Sequence, residues 1–131
     1  MSGDDEAFRR YSQINLPHAR TVLGRIVGTL EALGAFRESG NRGVSLLHSA
    51  VAETEAALAP FDEDPPREEA LRAADRSALL ARVLVDAIAS SPVRNDRLGQ
   101  HVRNLFECLG LAEEGAELSL LCGERPDSPM R

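Results

Sequence analysis

The segment Pro66 to Ser90, PREEALRAADRSALLARVLVDAIAS, constrains this chain more than any other, because after its opening proline it runs to Ser90 without a glycine or a further proline. Proline is tolerated in the first turn of a helix, where its missing N–H has no intrahelical partner to lose, and Glu68 and Glu69 follow where negative charge suits the positive end of the helix dipole. Strong helix formers fill the remainder, giving a helix of roughly 36 Å at about 1.5 Å per residue. Leu71, Ala74, Ala78, Ala81, Val85 and Ile88 recur at spacings of three and four, with Leu80, Leu84 and Ala87 widening the apolar stripe. Arg72, Asp75, Arg76, Arg82 and Asp86 form the polar stripe that should face water. A helix this long and this apolar must be packed by others.

The remaining elements follow from the same rules. Residues 3–13 place acids before arginines, as a short first helix requires, with Phe8 and Tyr11 as its anchors. Pro17 opens a second helix of about 17 residues, whose inner face is Ala19, Val22, Leu23, Ile26, Val27, Leu30 and Leu33, and Gly34 ends it. After the glycine-bearing connection Phe36 to Gly43, Val44, Leu47, Val51 and Leu58 define a third helix, with Leu46, Ala50 and Ala57 beside them and Pro60 at its end. Asn95 or Asp96 caps a fifth, whose inner face is Leu98, Val102, Leu105, Phe106 and Leu109, and Gly110 with Leu111 forms its stop. Ala112 to Cys122 reads as a short helix interrupted at Gly115, or as an extended piece. The expected fold is all-α: a bundle of four principal helices with a short N-terminal helix and a short C-terminal helical or extended segment, forming one domain over residues 1–123 with a flexible tail over 124–131.

Composition excludes several function classes. Aromatic residues make up 4% with no Trp, so the core must be built from Leu, Val, Ile and Ala. All 15 basic residues are arginine, yet the net charge is −6, which argues against a general nucleic-acid-binding surface. Met1 to Glu6 is small and acidic rather than a secretory leader, and no apolar run is long enough to span a bilayer, so a cytoplasmic protein is expected. Cys108 and Cys122 form neither a zinc pattern nor a disulfide framework and read as buried thiols. No Glu stands three residues before a histidine, as a di-iron bundle needs, and no phosphate-cradling loop follows a strand. The acidic linker Phe61 to Pro66 lacks the Gly and Glu of a calcium loop. No metal and no cofactor is expected.

Two features remain as candidate sites. Gly24 and Gly28, continued by Ala32 and Ala35, lay a strip of small residues along the second helix. Each interior glycine costs about 1 kcal/mol relative to alanine. Another helix backbone, from this chain in the first instance or from a second copy, is expected to approach there. The resulting function is a non-catalytic helical interaction module, an adaptor, regulator or small assembly subunit, whose partner is a protein or a second copy of the chain, with no membrane, and with RNA as a partner only under the alternative that follows.

The other feature is the string RNDRLGQH, in which Arg94 and Asn95 precede His101. It resembles the Arg-polar-(four to six)-His signature of HEPN ribonucleases, helical bundles that pair two such motifs and cleave RNA without metal. The resemblance implies His101 as the proton-transfer group, Arg94 as phosphate stabiliser and Asn95 as its orienter. Arg97 and Arg103 would add a modest basic patch. The same residues also read as exposed helix-start arginines and a histidine flanking the apolar face. His18 and His48 read as a first-turn surface residue and a packing residue.

Overall fold

The computed structural model describes residues 2–35, 42–63 and 65–125. The fold is all-α, and the described residues form six helices: α1 Ser2–Tyr11, α2 Leu16–Ala32, α3 Arg42–Leu58, α4 Arg67–Ala89, α5 Asp96–Cys108 and α6 Ala112–Leu121. α2 lies between α3 and α5; α3 packs on α4, α6 on α5, and α1 and α6 both touch α4. The expected connection at 36–43 falls largely outside the described residues, as do the side chain of Val44 and the tail beyond Arg125.

α4 begins and ends where the sequence places it, between Pro66 and Ser90. Ala74, Ala78, Ala81, Val85 and Ile88 are buried as expected, and Ala70, Ala73 and Ser77 join them. Small side chains at these positions let α3 lie against the helix. α3 presents Leu47, Ala50, Val51 and Leu58 to the core, while Thr54 takes an inward position by donating its hydroxyl to the Ala50 carbonyl at 2.7 Å. The hydrogen bond offsets much of the cost of burying that hydroxyl.

Three expectations about exposure are corrected. Phe8 does not anchor α1: it is 61% exposed, with the Arg67 guanidinium over its ring at 5.6 Å, while Tyr11 packs against the core. The polar stripe of α4 carries Leu79 and Val83, 62% and 47% exposed. Arg82, expected on the stripe that faces water, is half-buried against α6. Its guanidinium donates both Nε and Nη2 to Glu114 of α6, Nη2 to Oε1 at 2.7 Å.

The largest departure concerns α6, which runs through Gly115 without interruption. Helix interruption is what the intrinsic propensity of glycine suggests, but here the missing side chain is what brings α6 onto α5. A Cβ at Gly115 would stand 2.7 Å from the Phe106 Cβ and 3.1 Å from the Arg103 carbonyl oxygen. Gly99 repeats the arrangement from the α5 side, where a Cβ would lie 2.7 Å from the Ser119 carbonyl oxygen and against the Glu124 backbone. Around this contact Leu98, Leu105, Phe106 and Leu109 are almost completely buried.

The helix ends are built alike. Past α5, Gly110 takes φ +77°, its N–H reaches the Glu107 carbonyl at 3.0 Å, and the Leu111 N–H reaches Phe106 at 2.8 Å. This paired pattern satisfies two carbonyls that the helix leaves open, and the left-handed residue costs glycine nothing. α2 closes in the same way through Gly34 and Ala35, and α6 through Gly123 and Glu124. Glu124 therefore belongs to the folded unit rather than to a flexible tail: its carboxylate accepts from Ser119 Oγ at 2.7 Å and pairs with Arg103 at 2.8 Å.

Gly115→Ala should lower stability by about 1–3 kcal/mol, because neither the Phe106 Cβ nor the Arg103 backbone can withdraw. The check is the denaturation midpoint in urea; an unchanged midpoint would mean that α6 does not dock on α5 as described.

Candidate functional site

The two sequence candidates meet along α2. The residues of this helix that point away from the bundle include Gly24, Gly28 and Ala32, and a Cβ built on either glycine meets nothing within 4 Å. Among the described residues no helix fills the space beside them, contrary to the first expectation for how their cost would be offset. Ala35 leaves the strip: it is 7% exposed and joins the core.

Clefts open on both sides of this face. Gly24 lines one of about 690 Å³ between α2 and α3, together with Thr21, Glu55 and Ala59, and an Arg20–Asp62 ion pair lies along it. Gly28 and Ala32 line a second cleft of about 520 Å³ between α2 and the start of α5, with Arg25, Thr29, Leu33, Asn95, Arg97 and His101. Gly28 and Ala32 thus share a cleft with Asn95 and His101, two groups separated by more than sixty residues of sequence.

The start of α5 is held in place by its own chain. Asn95 caps the helix, its side-chain oxygen accepting from the Leu98 N–H at 2.9 Å. Asp96 accepts from Gln100 Nε2 at 2.8 Å and from the Arg125 N–H at 3.0 Å. The side-chain oxygen of Asn95 is thereby occupied by the helix end, whatever else the amide group contacts. Arg94 is exposed and does not line the cleft; its charge acts instead on the Cys122 thiol. Arg103, counted with the basic patch in the sequence, is paired with Glu124. The arginines at the cleft are Arg25 and Arg97.

His101 is half-buried, and its Nδ1 is shut off from solvent without a hydrogen-bond partner. Burial pushes its pKa below the ordinary 6.5, and the Arg25 and Arg97 charges push it further in the same direction. At neutral pH it is an uncharged imidazole. His18 and His48 are exposed and lie outside both clefts.

Neither thiol is poised for chemistry. Burial raises the Cys122 pKa to about 12 and also raises that of Cys108, helped there by Glu107. Among the described residues no three His, Cys, Asp or Glu side chains converge as a metal-ligand set, and no helix is long and apolar enough to cross a membrane.

Arg25 and Thr29 were not singled out in the sequence, and Leu33, expected on the inner face of α2, instead lies exposed at the cleft. Arg25, Gly28, Thr29 and Ala32 do follow helical spacing along one face, and Arg97 and His101 lie four apart on α5. Both spacings were readable, but nothing local says that these two faces adjoin.

No protein-family profile, curated protein or solved structure matches the chain.

The His101 shift has a pH consequence. Because the folded state holds its proton less tightly than the unfolded chain, the unfolded state binds more protons between the lowered pKa and about 6.5, and acidification through that window destabilises the fold. The His101→Gln variant should therefore lose less stability than the parent chain on going from neutral to mildly acid pH. Urea midpoints across that range check this; parallel pH profiles would show that His101 is not strained toward its neutral form.

Proposed function

We propose that the chain is a non-catalytic helical interaction module, an adaptor, regulator or small assembly subunit, which docks a protein partner or a second copy of itself on the outward face of α2. The observation supporting this reading is the pair of interior glycines at 24 and 28, both exposed, on which an added Cβ would meet nothing within 4 Å beyond their own helix backbone among the described residues. Within the isolated chain their cost of about 1 kcal/mol each has no structural return. A partner backbone lying along Gly24, Gly28 and Ala32 would provide one, and Leu33, 42% exposed at the end of the strip, offers it an apolar contact.

The two kinds of substitution separate the glycines' costs from their use. Gly24→Ala and Gly28→Ala should each stabilise the isolated chain by up to about 1 kcal/mol, since a methyl group fits without contact. Gly28→Leu should leave helix content intact and abolish association, measured by sedimentation velocity over a concentration series. An unfolded Gly28→Leu would place the strip inside the bundle, and a parent chain that stays monomeric throughout would remove the self-association form of the reading.

A ribonuclease of the HEPN type is the second reading. It is favoured by the position of His101 in a cleft bordering the same strip, where a docked second copy would cover it. On this reading the role implied for Arg94 passes to Arg97, which lines the cleft. His101→Ala should then keep the fold and lose metal-independent RNA cleavage; a parent chain that cleaves none of several RNAs would end this reading.

A further inference from the structure

The α2/α5 cleft is electrostatically unlike the rest of this acidic protein. Two of its lining side chains, Arg25 and Arg97, are cationic, and none is acidic. Among the described residues neither guanidinium has a carboxylate within ion-pair distance, whereas Arg10, Arg20, Arg82 and Arg103 each do. In the α2/α3 cleft, by contrast, Glu55 and Asp62 offset Arg20. The nearest acid along α5, Asp96, is occupied by Gln100 and the Arg125 backbone. Like charges lining one cleft repel each other, and an anion bound there would offset that repulsion.

The third titratable group lining the cleft is the His101 imidazole, half-buried beside the two arginines. Asn95 marks the N-terminal end of α5 at the cleft, where the dipole of the 13-residue helix also favours negative charge. The cavity, about 520 Å³, is larger than a bare ion requires and falls within the range of small-molecule sites. Gly28, Ala32 and Leu33 provide an apolar wall for whatever carries the charge.

We propose that this cleft binds a phosphate dianion, free or as the monoester of a small molecule, with Arg25 and Arg97 gripping its oxygens and the His101 ring lining the site beside them. Guanidinium groups suit this task because their planar donors match the oxyanion geometry, and two of them balance the charge of a dianion rather than a carboxylate. The site goes beyond the docking role of α2 and does not depend on it, since it requires only residues of one chain.

The test is a titration of the full chain, followed by NMR at the His101 imidazole and the backbone amides of Gly28 and Arg97. The probes are inorganic phosphate and glycerol 3-phosphate, with acetate and chloride at matched ionic strength as controls. Saturable shifts confined to the cleft, and a His101 that titrates at higher pH when either phosphate is bound, are expected. Arg25→Gln and Arg97→Gln should each weaken binding about tenfold or more, as loss of a charge-assisted contact does. Arg94→Gln, outside the cleft, should leave it unchanged. Tighter binding of glycerol 3-phosphate supports an organic monoester, and equal affinity supports free phosphate. Shifts that fail to saturate, that chloride reproduces, or that survive Arg97→Gln overturn the proposal. Because every arm is read on the single chain, a failure of self-association leaves the outcome untouched.

Discussion

The rest of the molecule depends on how closely α6 approaches α5. At Gly115 and Gly99 there is no room for even a methyl group, so the two helices lie together at a separation that a side chain at either position would forbid. The contact propagates to the end of α6, where Gly123 sits against the backbone of Asn95, the residue that caps α5. The Arg125 N–H then reaches Asp96. The start of α5 is thereby held from the α6 side, and its opposite side, carrying Arg97 and His101, is set against α2. The cleft owes its shape to a packing contact on the far side of α5.

Ion pairs play a different part. Arg10 reaches Asp75 at 2.6 Å and the Leu109 carbonyl at 3.3 Å, linking α1 to α4 and to the end of α5, while the Arg82–Glu114 pair joins α4 to α6. The hydrogen bond from Arg82 holds the Glu114 carboxyl below its usual range, ahead of the opposing effect of burial. Such part-exposed pairs contribute little net stability and act mainly to orient the elements they join. Burial of Leu, Ile, Val and Ala side chains, with Phe106 the one fully buried aromatic among the described residues, holds the bundle together. Arg25 and Arg97 are set apart by their place: they line one cleft that has no acidic residue in its lining.

Glycine shows how far one residue type can mislead when only its own helix is in view. The same propensity argument applies to Gly24, Gly28, Gly99 and Gly115, since each costs a helix similarly. In the structure the second pair is spent on close approach within the chain, and the first pair is left open to solvent. The difference lies entirely in what faces them. Phe8, Leu79 and Val83 tell the same story for apolar residues, which their spacing alone could not assign to core or surface. Arg82 does so for charge, choosing Glu114 across the bundle over Asp86 in its own helix.

What the amino-acid order determined by itself was local: the helical periodicity, the proline and asparagine starts, and the glycine ends at 34 and 110. Each of these arises from interactions within a few residues along the chain, so a short window of sequence contains its cause. The small-residue strip and the His101 string were legible as separate features for the same reason. That Gly28 and His101 border one cleft, that Arg97 and not Arg94 belongs to it, and that Arg25 joins them were decided by the tertiary structure alone. Those relations depend on which helix faces adjoin, and that is fixed only when the buried surfaces of all six helices are packed together at once.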